Sequence, residues 1–320
     1  MHAIFPEKRS PPFFVQNPLW PIRHGFFGLC GGISELQHAL LQASYLKIDP
    51  DQHCKTNANK NDWCTLIKTI ASTSLSALHF TGMAWLGNQK HTNRILVLPR
   101  DQAHIMQPAD ALITNDPHGI IGVITADCAP ILMYDGVAKV VGAIHAGWRG
   151  AVSGVIEETI KHMCALGCTT SNLQATIGPM IRSESYQVSD DFLQTVQDFS
   201  AWNIAPMVHT VDNGVFFDLP LYIHKRLASL ISNIDDVNID TFSRTDFFSH
   251  RRAVHHQEQI SACNVNGLHL LPENPYNGEK IGQNYTAQQT TIDMETRRIS
   301  TSHGRNISWI SLTAERPRLF

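Results

Sequence analysis

Residues 119 to 150 decide how this chain folds. They read Gly119-Ile-Ile-Gly-Val-Ile-Thr-Ala-Asp-Cys-Ala-Pro-Ile-Leu-Met-Tyr-Asp-Gly-Val-Ala-Lys-Val-Val-Gly-Ala-Ile-His-Ala-Gly-Trp-Arg-Gly150. Two apolar strands flank a short break at Asp127-Cys128-Ala129-Pro130, and a third runs into His145-Ala146-Gly147-Trp148-Arg149-Gly150. A cysteine and a histidine therefore fall at strand ends, each beside small residues that leave room. A buried reactive or metal-binding centre can be built in such a place.

C-terminal to this stretch the period changes. Val152, Val155, Ile156, Thr159, Ile160 and Met163 recur at helical spacing, and Gly167 ends the run. Strands are expected at 173–177, 215–219, 237–239 and 306–312, and helices at 190–199 and 221–232. On the N-terminal side, 24–27, 93–98 and 109–114 read as strands, and 35–46 and 63–73 as helices. The pair Gly31-Gly32 reads as a turn, since glycine tolerates positive φ. Strands and helices mix without strict βαβ alternation. The expected class is therefore α/β (α+β), a mixed sheet flanked by helices rather than a doubly wound one. No repeat divides the chain. It reads as a single domain, with a core over about 20–312, a Pro- and aromatic-rich arm over 1–20, and an aperiodic insertion over 253–295.

Composition excludes some classes. Of 320 residues, 43% are hydrophobic, enough for a sizeable core, and the net charge is −3. No basic stripe supports a nucleic-acid partner. The seven cysteines are odd in number and include no CxxC pair, which fits a reducing, cytoplasmic setting. No apolar run is long enough to span a bilayer, and the N-terminus lacks a signal-peptide core, so no membrane association is expected.

With these residues in view, the chain resembles the YfiH-like family, whose members have been called multicopper polyphenol oxidases (laccases) and purine nucleoside phosphorylases. The resemblance rests on Thr125-Ala-Asp-Cys-Ala-Pro130 and His145-Ala-Gly-Trp-Arg-Gly150. Weaker matches follow the family's order: His24-Gly-Phe26 with Gly31-Gly-Ile-Ser34, Gln89-Lys-His-Thr-Asn93, Ala109-Asp-Ala-Leu112, Ile177-Gly-Pro179 with Tyr186-Gln-Val188, Phe247-Phe-Ser-His-Arg-Arg252, and Gly304-Arg305. The chain departs from the pattern at Leu29, where the family usually has Arg, and at Ser183 and Glu184, where Cys is often found.

The resemblance implies a metal site formed by His91, Cys128 and His145. Three protein ligands and an open fourth position describe a catalytic zinc site; thiolate and imidazole suit zinc and can also hold copper, the less expected ion. It further implies phosphorolysis of adenosine- or inosine-type nucleosides, with phosphate as co-substrate and adenosine deamination as a side activity. Asp127 is a candidate catalytic residue as an orienter or proton carrier beside Cys128; alternatively it caps a strand end. Arg149 is a candidate anion contact at a helix start, or else a surface salt-bridge partner. Arg251, Arg252 and Arg305 are weaker anion candidates, and His255, His256, Cys263 and His269 read better as loop residues than as a second metal site. Two other readings stand beside this one. Cys128 and His145 can form the nucleophile and base of a metal-free cysteine hydrolase, such as an enzyme editing peptidoglycan precursors, or the chain is a degenerate relative that only binds. One three-ligand site is too small for multicopper oxidation.

Overall fold

The computed structural model describes residues 14–15, 20, 22–28, 83–98, 101, 107–212, 214–255 and 306–314. In chain order its elements are β1 (Phe14–Val15), β2 (Ile22–Phe27), β3 (Met83–Leu86), β4 (Ile95–Leu98), β5 (Ala111–Thr114), β6 (Gly119–Thr125), β7 (Ala129–Asp135), β8 (Val140–Ala146), α1 (Trp148–Val152), α2 (Val155–Ala165), β9 (Gln174–Ile177), β10 (Gln187–Val188), α3 (Asp190–Phe199), β11 (Val208–Val211), β12 (Gly214–Phe217), α4 (Leu219–Ala228), β13 (Asn233–Asp236) and β14 (Asn306–Ala314).

A six-stranded mixed sheet in the order β13-β9-β7-β8-β5-β4 forms the centre. Its middle is the antiparallel β7·β8 ladder, seven residue pairs long, from Ala129 opposite Ala146 to Asp135 opposite Val140. Both strands are buried along their whole length. They read as continuous apolar runs because both faces of this sheet are covered. Side chains alternate between two cores. Ile131, Met133 and Ile144 pack with Val155, Ile156, Ile160 and Met163 of α2 and with Tyr222, Ile223 and Leu227 of α4. Leu132, Val141 and Ala143 face the other way, onto Trp85, Ile121, Val123 and Ile310. These last residues belong to a five-stranded sheet, β1-β2-β14-β6-β3. A third, three-stranded sheet, β10-β12-β11, lies beside α3 in sequence.

The mixed sheet and helices agree with the expected class. The described helices cover one face of the central sheet, and a second sheet covers the other. That sheet was hidden in the sequence because β14 comes from the far end of the chain and inserts between β2 and β6. Trp20, at the boundary of the expected N-terminal arm, is buried with Ile22 in the inter-sheet core.

Helix ends follow local chemistry. Ser189 accepts from Phe192 N at the start of α3, with Asp190 and Asp191 in the first turn. Asp218 does the same for α4 through Leu221 N, and Pro220 occupies the first turn. That helix therefore begins before Pro220 and ends at Ala228, earlier than the hydrophobic pattern over 221–232 implied. The strand expected at 237–239 is displaced to Asn233–Asp236. The polar Asn-Ile-Asp-Asp edge strand is held by parallel backbone pairing with β9, which a hydrophobic pattern does not register, whereas Val237 turns into the core. Residues 250–255 form a helical turn, so the segment read as an insertion from 253 begins inside it. The rest of that segment, the helices expected at 35–46 and 63–73, and Leu29 lie outside the described residues. No helix among the described residues is long and apolar enough to cross a membrane.

Within the five-stranded sheet, β14 approaches β6 so closely opposite Gly122 that a side chain there has no room. A Cβ on Gly122 would lie 2.4 Å from the Trp309 ring and 2.6 Å from the Ser308 carbonyl oxygen. Gly122→Ala is therefore expected to cost about 1–3 kcal/mol, as overpacking does. Val137→Ala, at a residue 77% exposed, should stay within about 0.5 kcal/mol. Thermal melting of the two variants checks the contrast.

Candidate metal centre

The β7·β8 register places the centre. Pro130 lies opposite His145, so the turn carrying Cys128 and the end of β8 meet at one end of the central strands. His91 arrives from the loop between β3 and β4. The ligand atoms of His91, Cys128 and His145 all lie within 4.8 Å of one another. Among the described residues this is the one His/Cys/Asp/Glu group arranged to hold a metal. His145 is buried, Cys128 half-buried and His91 exposed, so the cluster opens to solvent on the His91 side.

Three features outside the ligand set build the geometry. The first is Asp110, buried at the entrance to β5. Its Oδ1 accepts from His145 Nδ1 at 2.8 Å and from His91 N at 2.9 Å. Its Oδ2 accepts from Lys90 N at 3.1 Å, Thr92 N at 2.7 Å and Thr92 Oγ1 at 2.8 Å. The second is Gln89, whose amide accepts from Ile124 N at 2.8 Å and donates to Ile124 O at 2.6 Å. It fastens the His91 loop to the end of β6. The third is Gly147. Its backbone angles, φ −74° and ψ 170°, suit any residue. A Cβ there, however, would lie 2.8 Å from Cys128 Sγ and 2.9 Å from His91 Cδ2. The missing side chain leaves the room that the Cys128 sulfur and the His91 ring need to approach each other.

The loop backbone is strained at the site. His91 has φ 58° and Asp127 φ 82°, left-handed values that side-chain-bearing residues rarely adopt. Such conformations cost on the order of 1–3 kcal/mol each and persist where surrounding bonds over-determine them. At His91 the Asp110 bonds do this. At Asp127 the carboxylate itself does: Oδ1 accepts from Thr241 Oγ1 and Oδ2 from Arg251 N, both at 2.7 Å.

Charge is concentrated here. Burial works against ionising the Cys128 thiol, but the positive field of His145, with hydrogen bonds from His145 and His91, brings it down to about 6. Burial likewise disfavours protonated His145, yet Cys128 and Asp110 raise it to about 9. Burial opposes the Asp110 carboxylate too, and the bonds to His145 and Thr92 still hold it at about 2. Each charge thus favours the next: the imidazolium of His145 supports the Cys128 thiolate on one side and is itself supported by the Asp110 carboxylate on the other. By contrast, burial and the Asp135 charge push Cys168 up to about 12, which marks it as an inert core thiol.

The donor set fits a metal. His145 Nδ1 is committed to Asp110, which leaves Nε2 for the centre. His91 Nε2 and Cys128 Sγ are 3.7 Å apart. Two ligands of one tetrahedral zinc, at about 2.0–2.1 Å for nitrogen and 2.3 Å for sulfur, are separated by roughly 3.6 Å.

The other predicted residues are placed as follows. Arg149 is exposed, the second residue of α1, with its guanidinium 4.3 Å from the centre of the Trp148 ring. Arg251 lies 5.4 Å over the Tyr186 ring and donates to Gln187 O at 2.7 Å. Burial and the Cys128 charge raise Tyr186, while Arg251 and Arg149 pull it back, so these groups share one electrostatic neighbourhood. Arg252 is not an anion contact: its guanidinium donates to the carbonyls of Thr241, Phe242, Arg244 and Phe247 and frames that loop. His255 packs edge-on to Phe242, whereas His256, Cys263, His269 and Arg305 lie outside the described residues. Sequence reasoning missed the roles of Asp110, Gln89 and Gly147. The available signal was a carboxylate between alanines at the mouth of an apolar strand.

Comparison with known proteins agrees with this architecture. The model of the family described as multi-copper polyphenol oxidoreductase laccase matches residues 23–262. A purine nucleoside phosphorylase of Rickettsia conorii is 33% identical over 175 residues, 53% of this chain and 71% of the relative. An adenosine deaminase from an unknown prokaryotic organism is 34% identical over 114 residues, 33% of this chain and 44% of the relative. Among solved structures, the YfiH protein of Bacillus licheniformis superposes with a TM-score of 0.63 at 20% identity, covering 95% of this chain and 97% of that one. The chain thus belongs to the multi-copper polyphenol oxidoreductase laccase family and carries the fold of YfiH.

Proposed function

We propose that this protein is a zinc-dependent purine nucleoside phosphorylase acting on adenosine- and inosine-type nucleosides, with adenosine deamination as a side activity. The observation that carries the reading is the convergence of His91, Cys128 and His145, with ligand atoms within 4.8 Å of one another, beside the space that Gly147 leaves for Cys128 and His91. A zinc ion held there would act as a Lewis acid, polarising a substrate oxygen or activating water. The relatives named purine nucleoside phosphorylase and adenosine deaminase support the two activities. We place the enzyme in the cytoplasm, in keeping with its scattered cysteines.

The chain's own residues have distinct parts in this reading. Arg149, exposed at the start of α1 with its guanidinium over the Trp148 ring, holds the phosphate whose oxygen attacks the ribose carbon bearing the base; the carbon–nitrogen bond to the purine breaks as the new bond forms. Copper is the less favoured occupant in this reading, although a thiolate and two imidazoles would hold either ion. Asp127 serves as a positioning residue. Both its oxygens accept from Thr241 and Arg251, which ties the 241–251 segment to the turn of Cys128, and this bonding does not support proton carriage.

A second reading has an observation of its own. Asp110, His145 and Cys128 stand in the order carboxylate, imidazole, thiol, and the thiol is held at about 6. That is the arrangement of a cysteine hydrolase.

Metal analysis of the purified protein is expected to give about one zinc per chain, the number of three-ligand sites described. Adenosine with phosphate should then yield adenine and ribose 1-phosphate, and adenosine alone a slower release of inosine. Activity that survives metal removal but is abolished by alkylating Cys128 would instead establish the hydrolase reading.

Gly147→Ala separates site from scaffold. Its backbone angles accept alanine, so the metal-free variant should melt within a few degrees of the parent, a change of under about 1–2 kcal/mol. The added methyl should nevertheless exclude zinc and abolish phosphorolysis. Full zinc occupancy in this variant would show that the metal lies elsewhere.

A further inference from the structure

We propose that Asp110 is the positioning residue of the metal centre: one carboxylate sets the orientation of both histidine ligands, through the imidazole of His145 and through the backbone of His91. The functional consequence rests on the metal reading above, while the geometry stands by itself.

An ionised carboxylate only accepts hydrogen bonds. Asp110 uses that property five times. Four bonds gather the Lys90–Thr92 loop and one takes the Nδ1 hydrogen of His145. The two strands concerned are also joined through the backbone, since His145 N donates to Asp110 O at 2.7 Å. His145 is thereby fixed with Nδ1 protonated and Nε2 toward Cys128, the form that can bind a metal. His91 is held in its left-handed conformation, which brings Nε2 to 3.7 Å from Cys128 Sγ. The charged partner behind a metal-bound imidazole fixes its ring and raises its basicity. Here the same group also shapes the loop that brings the second imidazole.

The division of labour between the two oxygens makes the proposal testable. Oδ1 faces His145 Nδ1 and His91 N, and Oδ2 faces Lys90 N and both Thr92 donors. An asparagine has the same shape but must turn its NH2 toward one of these donor groups. With NH2 toward His145, the imidazole moves its proton to Nε2 and loses its ligand atom. In that orientation the His91 N–H loses its acceptor as well; with NH2 turned the other way, the three Lys90 and Thr92 donors lose theirs and the loop that carries His91 loosens. No amide orientation satisfies both.

The test is zinc affinity by competition with a chromophoric chelator, together with the visible spectrum of the cobalt-substituted protein, in Asp110→Asn and Thr92→Val. The first should bind zinc about 10–100-fold more weakly, the range for loss of a metal ligand's hydrogen-bonded partner, and its cobalt bands should shift. Thr92→Val removes the Thr92 Oγ1 bond to Asp110 and the one Oγ1 accepts from Arg94 N, and leaves the bonds of Asp110 to His145 and to the loop backbone intact; it should weaken zinc by less than about three-fold, because neither histidine ligand loses its own bond to the carboxylate. Melting of the metal-free proteins confirms that both are folded. Parental affinity and an unchanged cobalt spectrum in Asp110→Asn would overturn the proposal. Equal losses in the two variants would overturn the assignment of His145 orientation to Asp110. A parent protein that binds no zinc would overturn the metal reading itself, and with it the consequence drawn here.

Discussion

The β7·β8 ladder is the constraint on which the rest of this molecule depends. Seven consecutive pairs are buried on both faces, so the alternation of side chains is dictated by two cores at once. A slip of one residue would exchange Ile131 and Met133 with Leu132 and Tyr134 and carry every side chain to the wrong core. The register therefore has very little freedom. Because it is fixed, Pro130 stands opposite His145, and the Cys128 turn and the histidine at the strand end meet without further instruction.

Around that ladder three charged side chains are buried against a partner of opposite sign. Asp110 meets His145, Arg182 meets Asp236, and Arg226 meets Glu157. A buried ion pair is weak evidence of net stability, since desolvation offsets most of the attraction. Their locations are more informative. Arg182 joins the segment after β9 to the end of the edge strand β13 with two parallel bonds to one carboxylate. Arg226 joins α4 to α2. Asp110 joins two strands and a loop. In each case charge connects elements that hydrophobic contact alone would hold in a less definite arrangement.

The strands at 95–98, 111–114, 119–125 and 129–135, and the helix after Gly154, were legible because each is a local apolar pattern with a single period. The displaced strand β13 was not, because an edge strand of Asn, Ile and two Asp owes its conformation to backbone bonds with β9. The second sheet was not, because β14 joins it from nearly two hundred residues beyond β6. Cys128 and His145 stood out as reactive residues in an apolar stretch. Asp110 sat in a quoted motif without an evident task, since its task is defined by five donors gathered from two other places in the chain.

The sequence by itself determined the periodicity of the elements, the mixed character of the central sheet and the chemical types available at its strand ends. These follow from short-range sterics and from the apolar pattern, both of which are written residue by residue. Only the tertiary structure decided that His91, Cys128 and His145 share one space, that Gly147 leaves that space open, and that Asp110 faces both histidines. Such relations depend on strand register, on a left-handed residue in a loop and on the direction of single hydrogen bonds. They arise when segments tens of residues apart are packed together, and no local pattern encodes them.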